Sequence, residues 1–189
     1  ITSFARWIFI ILLNLVYLES LYYELVFLKI TYLKRYRQVA LGGTFDILHR
    51  GHLELLRKSF EIGLFVVIGV TSDEFVRAKL NKRILNPYPV RVQNLRNILQ
   101  KELKVSNYEI TKLNDSFGPL MISGDIDCLV VSSETEEKGK KINHLRAELG
   151  LPAIDVVLVK LVLAEDGIPI SSSRIRSNEI DENGFKTNK

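Results

Sequence analysis

The chain has 189 residues, 47% hydrophobic and 25% charged, the balance of one globular domain with room for a real core. Its formal net charge of +4 is unevenly spread: residues 1–37 hold five basic residues against two acidic, and the remainder holds 21 against 20. With a single cysteine, Cys128, this excludes a disulfide framework, a cysteine-ligated zinc and a basic nucleic-acid footprint on the domain itself.

Residues 1–37 differ in texture from the rest. Trp7 to Leu18 is apolar except for Asn14, and Glu19, Ser20 and Glu24 then interrupt the run. A spanning helix wants about 20 apolar residues, so this one falls short unless both glutamates are tolerated. No small-residue cleavage site follows Leu18, which disfavours a signal peptide. Three readings stand: a membrane-associated or weakly spanning helix, an extra helix packed on the domain, or a translated upstream segment absent from the native product. The last ranks first, because the chain begins with Ile and a start near Tyr36 leaves a complete domain. The expected organisation is a leader over 1–37, a domain over 38–184 and a tail over 185–189.

From Gln38 onward, strand and helix signals alternate. Val39–Leu41 reads as a short strand, and Leu53, Leu56 and Phe60 mark one face of a helix ending at Gly63. Leu64–Val70 is a continuous β-branched run, the signature of a central parallel strand. Thr71 or Ser72 caps a short helix through Leu80, and Asn81–Pro89, with two prolines, is loop. Val92, Leu95, Leu99 and Leu103 give the next helix its buried stripe. Tyr108–Leu113 and Cys128–Val131 are further strands, and Glu134–Leu149 is a charged helix stopped by Gly150 and Pro152. Ile154–Leu163 is the last strand, and Ser171–Ser173 cap a closing helix. This alternation predicts an α/β fold, a Rossmann-like parallel sheet with helices on both faces. The binding crevice then lies at the carboxyl ends of the strands.

The segment VALGGTFDILHRGH, Val39 to His52, carries the chemistry. A strand runs into two glycines, a threonine and two histidines three apart at the mouth of a helix. Unpaired N–H groups at a helix start favour an anion there. His49 and His52 also have a metal-ligand spacing, but no suitably spaced third ligand stands nearby, and no protein metal site is expected. Gly51 between them leaves room for a ligand, so a phosphate site is favoured over a surface or core pair. A second candidate cradle is Ile170 to Arg176, ISSSRIR. Ser at an N-cap is commonplace, but hydroxyls and free N–H groups beside Arg174 and Arg176 make an anion site. Lys82, in a loop with Lys79 and Arg83 close by, is a weaker candidate cation.

GGTFDILHRGH together with ISSSRIR resembles the HxGH nucleotidylyltransferase superfamily. GVTSDEF (Gly69–Phe75), NPYPVR (Asn86–Arg91), VVSSET (Val130–Thr135) and DGIPISSSRIR (Asp166–Arg176) are similar to the archaeal and eukaryotic type of phosphopantetheine adenylyltransferase. The match runs from about Gln38 to Gly184. This resemblance implies transfer of the adenylyl group of ATP to 4′-phosphopantetheine, giving dephospho-coenzyme A and pyrophosphate, with Mg²⁺, in the cytoplasm. Carried over by position, His52, His49 and Lys82 are the catalytic residues. Gly42, Gly43, Thr44, His49, His52, Ser132, Thr135, Ser171, Ser172, Ser173 and Arg176 bind ATP. Thr44 and Lys82 bind the acceptor, Arg91 is structural or positions the acceptor, and Asp46 stabilises its loop. The bacterial enzyme has an RGxR element where this chain has SSET, so its arginines do not transfer. The third Ser of ISSS stands where Thr is more usual.

Rival readings are another enzyme of the superfamily, an FAD synthetase or a glycerol-phosphate cytidylyltransferase. A rival of another class is a catalytically silent nucleotide-binding protein anchored at a membrane by its leader.

Overall fold

The computed structural model describes residues 16–25, 34–80, 83–121, 123–133 and 135–187. The chain divides into two units, Ile1–Arg35 and Tyr36–Lys189. In the first, residues 16–25 are helical with exposed side chains. No helix among the described residues is long and apolar enough to cross a membrane. The apolar run from Trp7 lies mostly outside the described residues.

The second unit runs β1 (Tyr36–Gly43), α1 (Arg50–Ile62), β2 (Gly63–Thr71) and α2 (Asp73–Phe75, continued as π-helix over Val76–Leu80). Then follow α3 (Tyr88–Ile98, continued as π-helix over Leu99–Leu103), β3 (Tyr108–Leu113), a 3₁₀ turn (Gly118–Met121) and β4 (Cys128–Ser132). The chain closes with α4 (Glu136–Glu148), β5 (Asp155–Val159) and α5 (Ser172–Arg176). The sheet has the order β3-β2-β1-β4-β5, and every pairing is parallel. Progression reverses at β1, so the strand-order switch lies between β1 and β4.

Strand alternation explains the two-sided core. Val39 and Leu41 of β1 join Val66, Ile68 and Val70 of β2 on one face, covered by Leu56 and Phe60 of α1 and Val92 and Leu95 of α3. Ala40, Leu129 and Val131 point to the other face, where Ile142 of α4 and Leu120 pack. Full burial of a side chain such as Leu56 or Ile68 stabilises the domain by roughly 1.5–3 kcal/mol. Arg146 of α4 is also fully buried and donates to the carbonyls of Leu120 (2.5 Å), Pro152 (2.8 Å) and Ser123 (3.1 Å). It therefore ties the turn at Leu120 to the helix.

Several element edges shift from the sequence expectation: α3 begins at Tyr88, inside the expected loop Asn81–Pro89, and β2 gains a residue at each end. β1 begins at Tyr36, whose hydroxyl donates to Asp155 Oδ2 at 2.7 Å across the sheet. Of the two expected caps for α2, Ser72 takes the role, accepting from Phe75 N at 3.0 Å. β5 stops at Val159 although the apolar run continues to Leu163. Its partner β4 supplies register only from Cys128 to Ser132, and Leu163 instead bridges Pro169 antiparallel. The segment that leaves the sheet there builds its own small core from Ala164, Ile170 and Ile180.

Candidate active site

The carboxyl ends of the strands open into a cleft of about 680 Å³. Gly42, Gly43 and Thr44 line it from the end of β1, His49 and His52 from the start of α1, and Ser132 and Thr135 from the end of β4. Ser171, Ser172, Ser173 and Arg176 line it from α5 and its cap. Two motifs more than a hundred residues apart in sequence thus meet in one cavity. Lys82 lies outside the described residues; its neighbour Arg83 lines the cleft.

The first cradle is compact. His49 is the N-cap of α1 in extended conformation, and its carbonyl accepts from His52 N at 2.8 Å and Leu53 N at 3.1 Å. The two imidazoles stack with ring centres 3.9 Å apart, and Phe45, in a left-handed conformation, lies 5.1 Å from the His52 ring. A Cβ on Gly51 would sit 3.0 Å from His49 Cε1, so the imidazole occupies the room that sequence alone assigned to a ligand. Burial pushes His49 down to about 4. Burial and the neighbouring imidazole push His52 to about 3, against the pull of the Ile47 carbonyl. Both rings are therefore neutral at neutral pH. Each Nδ1 is buried without a partner among the described residues.

The second cradle carries the charge. Ser171 Oγ caps α5 by accepting from Arg174 N at 3.4 Å, and Ser172 Oγ donates to the Ile47 carbonyl at 3.1 Å. Arg176 Nη2 reaches Asp46 Oδ2 at 2.9 Å, and its Nε is buried without a partner among the described residues. Arg174, the other guanidinium of the motif, turns away to Asp166 and Glu179 and to the carbonyls of Ile168 and Pro169. Its work is to hold the loop before α5.

Asp46 joins the cradles. Its carboxylate accepts from the amides of Leu85 (3.0 Å) and Asn86 (2.9 Å) as well as from Arg176. Burial alone would raise its pKa, but those amides and the guanidinium hold it below the usual carboxylate range. Arg91 lies outside the cleft lining and is fully buried. It donates to the carbonyls of Thr44 (2.5 Å), Thr71 (2.6 Å) and Asn86 (3.1 Å) and pairs with Asp73 at 2.7 Å. One guanidinium thus fixes the chain behind the first cradle.

Ser132 and Thr135 share a turn in which Thr135 Oγ1 accepts from Ser132 N at 3.2 Å. Leu113, at the end of β3, fills the space over three glycines. A Cβ on Gly69 would fall 2.6 Å from it and one on Gly42 3.3 Å, and one on Gly118 would overlap it outright. Sequence reasoning missed Phe117 and Lys160, which line the cleft together with Arg83, the companion of Lys82, and Thr71, which the sequence offers only as a helix cap. Only the sheet order brings the ends of β2, β3 and β5 to the motif residues, and no local pattern marks them.

An open parallel sheet with a donor-rich cleft at its switch point defines a nucleotide-binding α/β protein. Residues 40–178 match the family model described as cytidylyltransferase-like. The chain is 42% identical over 151 residues to the phosphopantetheine adenylyltransferase of Methanothermobacter thermautotrophicus, covering 80% of this chain and 90% of that one. It is 46% identical over 149 residues to that of Methanosarcina acetivorans, covering 78% and 94%. The crystal structure of a protein of unknown function from Archaeoglobus fulgidus is 39% identical, with a TM-score of 0.57 over 65% of this chain and 88% of its own. The chain belongs to the cytidylyltransferase-like family and, within it, to the group formed by the archaeal phosphopantetheine adenylyltransferases.

Proposed function

We propose that this protein transfers the adenylyl group of ATP to 4′-phosphopantetheine, giving dephospho-coenzyme A and pyrophosphate. The observation that carries this is the convergence of the two histidines and the Ser171–Arg176 cradle on one cleft. An oxygen of the acceptor phosphate attacks the α-phosphorus of ATP. The new P–O bond forms as the bond to the bridging α,β oxygen breaks, and pyrophosphate leaves with that electron pair. With a second pKa near ~6, the acceptor phosphate is mostly a dianion at neutral pH, so the step needs no general base. A cleft whose histidines stay neutral suits that chemistry. Each imidazole offers one N–H to a phosphate oxygen without adding a proton to the reaction.

In this reading His52 and His49 donate to the α- and β-phosphates, with His52 supporting the charge that develops at the transition state. Thr44 and Lys82 flank the point of attack. Ser171–Ser173 and Arg176 hold the β- and γ-phosphates, and Ser132 and Thr135 border the adenosine. Gly42 and Gly43 bring the end of β1 up to the nucleotide. Arg91 positions Thr44 from behind rather than touching the acceptor.

The described residues contain no group of three or more His, Cys, Asp or Glu that could hold a metal ion. Of the carboxylates on the cleft, Asp46 is engaged by Arg176 and two amides, and Asp115 caps the amides of Phe117 and Gly118. Mg²⁺ would enter with the triphosphate and supply neutralisation of phosphate charge. A cytoplasmic location suits the single, buried Cys128.

The test is pyrophosphate release by the purified chain, with ATP or CTP offered against 4′-phosphopantetheine, glycerol phosphate and FMN. Release is expected only with ATP and 4′-phosphopantetheine. Preference for CTP, or for another acceptor, overturns the assignment.

A further inference from the structure

Four buried polar atoms on residues lining the cleft lack a hydrogen-bond partner among the described residues: His49 Nδ1, His52 Nδ1, Arg176 Nε and Thr71 Oγ1. The first three belong to the two cradles. Thr71 belongs to neither motif. It stands at the end of β2, buried to 7% exposure, in a strand otherwise made of valine, isoleucine, leucine, phenylalanine and glycine.

Its side chain cannot be turned into the core. Val66, Ile68 and Val70 fill the helix-covered face of β2, so alternation puts Val67, Gly69 and Thr71 on the opposite face, and all three line the cleft. Nor does the hydroxyl serve as a cap, because Ser72 takes that role for α2. A valine there would fill nearly the same volume and leave no buried hydroxyl without a partner. The Thr71 hydroxyl, without a protein partner among the described residues, is free to bond a group in the cleft.

Its place says what. Arg91 grips the Thr71 carbonyl with Nη2 and the Thr44 carbonyl with Nη1, so one guanidinium holds the two threonines together at the cleft base. The β4 and α5 side of the cleft is taken up by the residues assigned to ATP. The β2–β3 side carries Phe75, Leu113 and Phe117, an apolar wall suited to a substrate with a long uncharged arm.

Resting on the reaction proposed above, we infer that the Thr71 hydroxyl hydrogen-bonds the acceptor at its phosphate-bearing end, next to Thr44. It is a binding residue for the acceptor and makes no contact with ATP.

The experiment compares wild type, Thr71→Val and Thr71→Ser. Thr71→Val is expected to raise the KM for 4′-phosphopantetheine roughly tenfold, to leave the KM for ATP within about twofold, and to melt no lower than wild type. Thr71→Ser, which keeps the hydroxyl, is expected to restore the acceptor KM. Should Thr71→Val fail to fold, Thr71→Ala carries the same expectation. Calorimetric binding of 4′-phosphopantetheine to the same proteins measures the contact independently of turnover. An unchanged acceptor KM and affinity in an active hydroxyl-less variant overturns the inference alone, as does a rise confined to ATP. A wild-type chain that neither binds nor adenylylates 4′-phosphopantetheine overturns the proposed reaction and this contact with it.

Discussion

The histidine end of the cleft and the serine–arginine end hold their donors by different means. At the histidine end, the donors sit on a helix backed by the main core, and burial keeps them uncharged. At the other end the donors sit on a five-residue helix closing a small satellite core of Ala164, Ile170 and Ile180, fastened by ion pairs. The first region offers fixed geometry at low polarity; the second offers charge on a lighter mount. Under the proposed reaction, the serine–arginine end would hold the triphosphate and the neutral histidine donors would face the transferred phosphate. Such a division would let one site bind a polyanion tightly without overstabilising its ground state at the point of attack.

The comparison breaks most visibly at His52. Replacing it with alanine should lower kcat by 10²–10³, roughly 3–4 kcal/mol of barrier, with the melting temperature little changed. Steady-state kinetics beside a thermal melt checks both halves. Next comes the clamp behind the first region: Arg91→Met should cost about 3 kcal/mol of stability, since it strips buried carbonyls and Asp73 of their shared donor. Urea unfolding measures it, and an unchanged midpoint would show that the clamp is idle.

Acid separates the two ends by a third route. The imidazoles at the histidine end have folded pKa values of about 4 and about 3, below their unfolded value near 6.5. The unfolded chain thus takes up protons that the folded chain refuses, and stability present above pH 6.5 is lost as pH falls from there towards 4. The slope is up to about 1.4 kcal/mol per pH unit for each imidazole. Denaturant titrations at pH 7.5, 6 and 5 should show it, and His49→Gln should flatten part of it. The smallest effect belongs to the charged end. Arg176→Ala should raise the KM for ATP about tenfold while reducing kcat much less than His52→Ala does. A kcat loss equal to that of His52→Ala would erase the distinction between the two ends.

Much of this was legible in the residue pattern. The alternation of strand runs with helical stripes points to the parallel sheet, most clearly at β2 and β4, which are buried along most of their length and read as continuous apolar runs. The motif residues around His49 and Ser171 were legible because helix starts and glycine turns have local signatures. What stayed hidden depends on contacts distant in sequence. Nothing local marks Arg91 on an ordinary amphipathic helix as a buried clamp for Thr44. Nothing in LVLAEDG says that β5 must stop at Val159 for want of a partner strand. Thr71 resembles a helix cap, since a hydroxyl beside Ser72 reads the same whether it faces a helix or a cavity.

The seating of Leu113 has an evolutionary corollary. Its isobutyl group is shared by three backbone stretches that meet nowhere else in sequence, through Gly42, Gly69 and Gly118. A methyl gained at Gly69 or Gly118 needs Leu113 to move or shrink, whereas one at Gly42 meets it only at a tight 3.3 Å. Among relatives of this protein a side chain at the position of Gly69 should come with a smaller residue at 113.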